Sequence, residues 1–197
     1  MLELAKECIN MLTYTHVSTC YVNSCMDYDT YIDEKIYDQP GNKDPEEIVR
    51  EILNLGPQKV VEQELAILGN HKNTYTFSKS LAEKVLKKLR GNLRVTIVRP
   101  AMIIANYEDP FEGWIDTLAA SGGLITAISL GVLHFYKSNI NSILDFIPCD
   151  FVSNQILVQT AFTGMQPSSN LNVVHSSTTS RNPMTLGFAK NAIVRYS

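Results

Sequence analysis

A helix that runs straight into a buried strand constrains this chain more than any other feature. Arg94-Val95-Thr96-Ile97-Val98-Arg99-Pro100 is a run of β-branched residues stopped by proline. That is the pattern of a strand covered on both faces. Directly before it, Ser78, Leu81, Ala82, Val85, Leu86 and Leu89 recur at helical spacing. Further upstream, residues 13–19 are again β-rich and end in the hydroxyls of Ser18 and Thr19. Strand, helix, strand is a βαβ unit, which requires parallel strands with a crossover helix. The fold class expected is therefore α/β. Ligands of such sheets bind at the carboxyl ends of the strands, and Thr19, Tyr75 and Pro100 all fall at that edge.

The crossover helix opens Asn73-Thr74-Tyr75-Thr76-Phe77-Ser78-Lys79. A four-residue spacing puts Tyr75 and Lys79 on one face, one turn apart, and Glu83 extends that stripe. A fixed ammonium stabilises a nearby phenolate and makes the phenol a better proton donor. Enzymes that reduce carbonyl groups with a nicotinamide cofactor need such a donor. The spacing alone carries little, because Tyr31-Ile32-Asp33-Glu34-Lys35 has the same form. That copy lies in a polar, acidic run with no apolar stripe behind it, and it reads as a solvated loop.

Taken together, these segments resemble the extended short-chain dehydrogenase/reductase superfamily and, within it, the alcohol-forming fatty acyl-CoA reductases of the male sterility family. His16-Val17-Ser18-Thr19-Cys20-Tyr21-Val22-Asn23 is similar to that family's HVSTAYVN, with cysteine in place of alanine. Asp33 to Tyr37 resembles its acidic EEKVY segment, and Asn73 to Lys84 its NTYTFTKALAEK helix. Ile97 to Pro100 followed by Pro110 to Asp116 resembles IVRP with PFPGWID. Asp145 to Asn154 and Asn182 to Thr185 resemble its DIIPVDMVVN and NPIT segments.

The resemblance implies the C-terminal half of a Rossmann-like, doubly wound parallel sheet with helical substrate-side insertions. It implies reduction of a long-chain fatty acyl-CoA to a fatty alcohol, by two hydride transfers from NADPH through an aldehyde. Thr19, Tyr75 and Lys79 are the implied catalytic residues. Tyr75, Lys79, Pro100 and Ile103 are implied on the cofactor, and Phe111 and Trp114 on the acyl group. The 117–136 segment is read as a buried helix pair or acyl-pocket wall. The family begins with a strand and a Gly-x-x-Gly-x-x-Gly turn that holds the pyrophosphate at a helix N-terminus. None of the ten glycines here has that spacing. Residues 1–8 read as the helix just before the Thr19 strand. The glycine-rich first half and the C-terminal helical domain are therefore expected to lie outside these residues. Strand 13–19 is then expected to carry an open edge. Two alternatives follow: a thioester reductase domain acting on carrier-bound substrates, and a catalytically dead remnant that only binds.

In outline, 1–197 reads as one partial reductase domain. Residues 1–110 are the remaining Rossmann core with an insertion at 24–72, and 111–197 hold substrate-side segments, a last strand and a closing helix. A polar loop at 24–44, ended by Pro40-Gly41-Asn42, precedes a helix starting at Asp44-Pro45. That helix breaks at Gly56-Pro57, and a second runs to Gly69. Other expected elements are helix 153–163, strand 171–175 and helix 184–196. At 197 residues and 45% hydrophobic content the chain can bury a sizeable core. A net charge of −3 with no basic run argues against a nucleic-acid surface. The four cysteines form no C-x-x-C pair, the four histidines are scattered, and no metal site is expected. Residues 117–136 carry no formal charge but include Gly122, Gly123 and His134, which suits a buried segment better than a membrane span. The resemblance implies a cytosol-facing protein, at the endoplasmic reticulum or peroxisomal membrane only through segments outside these residues.

Overall fold

The computed structural model describes residues 1–197 except 28, 39–42, 118–120, 135, 136, 168 and 197, and only the backbone of 121 and 196. Its elements run α1 (Leu2–Glu7), β1 (Tyr14–Val17), a 3₁₀ turn (Cys20–Asn23), α2 (Pro45–Leu55), α3 (Pro57–Glu62), α4 (Glu64–Leu68), α5 (Thr74–Leu89), β2 (Val95–Pro100) and β3 (Met102–Ile104). There follow α6 (Ser121–Ser129), β4 (Ile143–Leu144), β5 (Phe146–Pro148), α7 (Cys149–Met165), β6 (Leu171–Ser176), β7 (Met184–Thr185) and α8 (Leu186–Tyr196). The chain divides into two compact units, residues 1–99 with 159–174 and residues 100–158 with 175–197.

The first unit is built on a three-stranded sheet of order β1-β2-β6. β1 and β2 are parallel, Tyr14 opposite Val95 through Val17 opposite Val98. β6 follows the same direction: Val95 N–H donates to the Asn170 carbonyl (3.0 Å) and Ala101 N–H to that of Ser176 (2.9 Å). Every residue of β2 is buried, and its side chains alternate between two helices. Val95 and Ile97 pack with Leu86 of α5 and with Val173. Thr96 points the other way, its hydroxyl bonded to that of Thr163 in α7. Thr15, opposite Thr96, bonds Thr160 at 2.7 Å. Helices therefore cover both faces, as a doubly wound sheet requires. β1 is an edge strand among the described residues.

Local chemistry sets the helix boundaries. The Asn73 carboxamide oxygen accepts from Thr76 N–H (2.8 Å) and caps α5. The Asp44 carboxylate accepts from Glu46 N–H (2.9 Å), and Pro45 opens α2. Lys88 of α5 reaches both Asp44 and Glu46, so the two helices are tied where α2 begins. Gly56, at φ +75°, separates α2 from α3. The single helix expected up to Gly69 is instead two, interrupted at Gln63 (φ −105°, ψ 12°). Val61 and Leu65 on either side are exposed, so no packed stripe holds the segment straight. Residues 24–44 form no helix or strand among those described, as expected of a polar loop. Pro40-Gly41-Asn42 lies outside the described residues.

The second unit has two small sheets. β3 and β5 are parallel, and β4 and β7 antiparallel. None of these strands was expected, because two or three residues are too few to show a period. The helix pair read at 117–136 is one helix, α6, among the described residues, and Gly131, two residues past its end, has φ +67°. Residues 118–120, 135 and 136 of that segment lie outside the description. No helix among the described residues is long and apolar enough to cross a membrane.

Asp150, in the first turn of α7, organises this unit. Its buried carboxylate accepts from the N–H groups of Tyr107 (3.1 Å), Glu108 (2.9 Å), Asp109 (3.2 Å) and Phe151 (3.1 Å). Desolvation pushes this carboxyl up, but the four N–H groups outweigh it and hold it below the ordinary carboxylate range. A depressed value in the folded state stabilises the fold above the unfolded value of about 3.9 and is lost as pH falls through the folded value. Asp150→Asn is therefore expected to lower the urea midpoint at about pH 5 and to flatten its decline between about pH 5 and pH 3. A decline as steep as that of the parent would remove Asp150 from the acid response.

Candidate active site

The carboxyl end of β1 meets the first two turns of α5. α5 runs antiparallel to the strands it connects, so its N-terminus lies at their carboxyl ends. The Lys79 ammonium donates to the Val17 carbonyl, the last of β1, at 3.0 Å. Two residues on, Thr19 is buried and its hydroxyl oxygen accepts from Tyr21 N–H (3.4 Å), capping the 3₁₀ turn. α5 packs against that turn. Cys20 donates its thiol to the Arg99 carbonyl (2.9 Å) and Ser18 N–H donates to that of Val98 (2.7 Å), so the loop holding Thr19 is pinned to β2. Tyr75 stands one turn from Lys79 toward the helix N-terminus and is 53% exposed. The structure thus gathers Thr19, Tyr75 and Lys79 at one sheet edge within the first unit. A half-exposed phenol, a cation with a fixed position and a buried hydroxyl are groups of the kind that can meet an oxygen gaining negative charge.

Below these groups lies a charged pair that sequence reasoning misplaced. Glu83 does not share the exposed stripe of Tyr75. It is 1% exposed, and the buried face of α5 is Thr76, Ser80, Glu83 and Leu86. Its carboxylate grips Arg99 of β2, Nε at 2.9 Å and Nη2 at 2.6 Å, and Nη2 also donates to the Lys35 carbonyl at 3.0 Å. Ser78, expected to face inward, is exposed. Four residues per turn overshoots the helical period, so a stripe drawn at that spacing drifts around the helix. The signal available was Arg99 itself, a charge inside a β-branched run that has to find an acid. His16, beside Glu83 and Lys79, was read only as part of a motif. Its Nε2 is buried with no hydrogen-bond partner among the described residues. Burial first, then the Lys79 charge, push the imidazole below its ordinary value, with Glu83 opposing, so it is uncharged near neutrality.

The other expected contacts belong to the second unit. Pro100 ends β2 and is buried, and Ile103 lies in β3, 37% exposed. Phe111 and Trp114 stand edge to face at 6.3 Å on a loop closed by Asn106 N–H to the Trp114 carbonyl and Gly113 N–H to the Asn106 carbonyl, both 2.9 Å. Gly113 has φ +76°, which a residue with a side chain rarely adopts.

A nicotinamide cofactor fits the first unit in part. The Lys79 cation and Tyr75 phenol suit the ribose and nicotinamide end. No cradle for the pyrophosphate is found among the described glycines: Gly56, Gly69, Gly91, Gly113 and Gly131 have positive φ but sit in open turns where an added Cβ would meet nothing within 4 Å.

Thr19, Tyr75 and Lys79 stand at the carboxyl edge of a parallel sheet wound on both faces, an α/β architecture. Residues 1–156 match the male sterility protein family, and the chain belongs to that family. It is 31% identical over 187 residues to fatty acyl-CoA reductase 1 of Xenopus laevis, covering 95% of this chain and 35% of that protein. The identity and coverage are the same for fatty acyl-CoA reductase 1 of Homo sapiens. Probable fatty acyl-CoA reductase 5 of Arabidopsis thaliana is 31% identical over 217 residues, covering 100% of this chain and 43% of that protein. This chain therefore spans well under half the length of these relatives. Among solved structures, the terminal R domain from the myxalamid PKS-NRPS biosynthetic pathway shares the fold, with a TM-score of 0.55 and 19% identity, over 94% of this chain and 37% of that one.

Proposed function

We propose that this chain is the catalytic segment of an alcohol-forming fatty acyl-CoA reductase, with both units belonging to one reductase domain. The observation that carries the reading is the Lys79 ammonium held on the Val17 carbonyl, on the face of α5 that presents Tyr75. The relatives at 31% identity supply the substrate class. The carrier-thioester alternative rests only on a fold likeness at 19% identity.

When bound, NADPH would supply the hydride. This chain's residues handle the oxygen. Thr19 orients the carbonyl oxygen of the acyl thioester, Tyr75 delivers the proton as negative charge develops, and Lys79 stabilises the resulting phenolate and binds the ribose hydroxyls. The first round gives a hemithioacetal that collapses to aldehyde and free CoA. The second reduces the aldehyde to the alcohol with the same three groups. Pro100, which ends β2, and Ile103 of β3 are assigned to the nicotinamide, and Phe111 and Trp114 to the acyl group.

The test is a chimera in which residues 1–197 replace the matching segment of the Xenopus fatty acyl-CoA reductase 1. It is expected to bind NADPH and to form fatty alcohol from a long-chain acyl-CoA. A folded chimera that binds NADPH and makes no alcohol or aldehyde would overturn the reading.

A further inference from the structure

Asn106 follows β3 in the second unit and holds a hydrogen-bond acceptor in reserve. The residue is 7% exposed. Its carboxamide oxygen is buried and has no hydrogen-bond partner among the described residues. Unlike a hydroxyl, this oxygen can only accept, so it cannot be relieved by turning a proton of its own. Native proteins keep few such atoms, because an acceptor taken out of water and left unpaired costs free energy.

The backbone around it is already bonded. Asn106 N–H donates to the Trp114 carbonyl, and the Asn106 carbonyl accepts from Gly113 N–H. The next three residues, Tyr107, Glu108 and Asp109, give their N–H groups to the Asp150 carboxylate. The unpaired oxygen thus stands on a fixed frame, which lowers the ordering cost of binding there. The same loop shows aromatic rings. Phe111 and Trp114 stand edge to face, as do Tyr107 and Phe151 at 5.7 Å, and all four are exposed. Apolar rings beside one unpaired acceptor suit a ligand with an apolar body and an N–H donor. The terminal torsion of a carboxamide is broad, so the oxygen can turn toward a ligand lying on the rings.

The substrate of the reductase reading carries such a donor, since every CoA thioester has a secondary amide two carbons from its sulfur. We propose that Asn106 determines specificity in the thioester step. Its carboxamide oxygen accepts from that amide N–H, while the first carbons of the acyl chain lie on Phe111 and Trp114. The inference rests on the reductase reading for its substrate. It acts on the first reduction alone, because the aldehyde of the second has no amide.

Two small thioesters isolate the hydrogen bond. S-decanoyl-N-acetylcysteamine has the amide, and S-decanoyl-2-mercaptoethyl acetate has an ester oxygen in place of the N–H. Trp114 is the single tryptophan of the chain, so its emission reads ligand at this loop. Titrated into the 197-residue chain, the amide probe is expected to bind saturably and about tenfold more tightly than the ester probe, the effect of one neutral hydrogen bond to a buried acceptor. Asn106→Leu keeps the branched skeleton and removes the acceptor. It is expected to equalise the two probes and to leave the melting temperature at or above that of the parent. In the chimera the same substitution is expected to lower kcat/KM for decanoyl-CoA about tenfold and to leave that for decanal unchanged. No saturable change in emission, equal binding of the two probes by the parent, a preference that survives Asn106→Leu, or a lowered melting temperature in that variant would each overturn the proposal. A chimera that makes no alcohol counts against the reductase reading instead, and the probe pair still decides the role of Asn106.

Discussion

Tyr75→Phe in the chimera is expected to lower the rate of alcohol formation by about a thousandfold, while NADPH binding stays unchanged. The substitution removes one oxygen from a ring that is 53% exposed, so it costs the fold little. What it takes away is the proton donor for an oxygen that turns negative as hydride arrives. The Lys79 anchor is untouched, because its hydrogen bond goes to a backbone carbonyl on β1 rather than to Tyr75. Turnover and cofactor affinity should therefore separate, kcat falling while the NADPH Kd, read by fluorescence, holds. Both reductions should slow together, so aldehyde should not accumulate. Turnover equal to the parent would remove Tyr75 from the mechanism.

The largest effect on stability is expected at Glu83. Glu83→Gln takes the Glu83 carboxylate away from the Arg99 guanidinium, which is 0% exposed. Removing one partner of a buried ion pair costs about 3–5 kcal/mol. For a chain of this size that is a fall in Tm of roughly 6–20 °C. Adding Arg99→Met should recover most of the loss, since it replaces the buried charge with an apolar side chain of similar length. Melting curves of the parent, both single variants and the double variant form the cycle that measures the coupling. A Glu83→Gln variant as stable as the parent would show that the pair carries no net coupling.

The sequence made the βαβ core legible because its signals are long. β2 is six residues, all buried, α5 sixteen residues with an asparagine cap, and only a short turn separates them. The placement of Thr19, Tyr75 and Lys79 at one sheet edge was readable because fixed spacing along a helix and a strand end translates directly into position. The face of Glu83 was not readable, since it depends on which strand residue α5 meets. The short strands of the second unit fix only two or three residues each, below any detectable period. Asp150 gave no local sign either: three of its four donors lie 41 to 43 residues earlier in the chain, and only the folded chain brings them to one carboxylate.

The bond between Lys79 and Val17 is made to a main-chain oxygen. Any amino acid at position 17 would supply the same acceptor, so the residue there is free to drift without loosening the lysine. Val17 is 41% exposed, which puts few steric demands on its replacement. A saturation library at position 17 should therefore be far more permissive than one at position 79, even though the two positions share one hydrogen bond. In evolutionary terms the lysine's placement is inherited with the path of the strand, and a relative can match this site while differing at the residue that holds it.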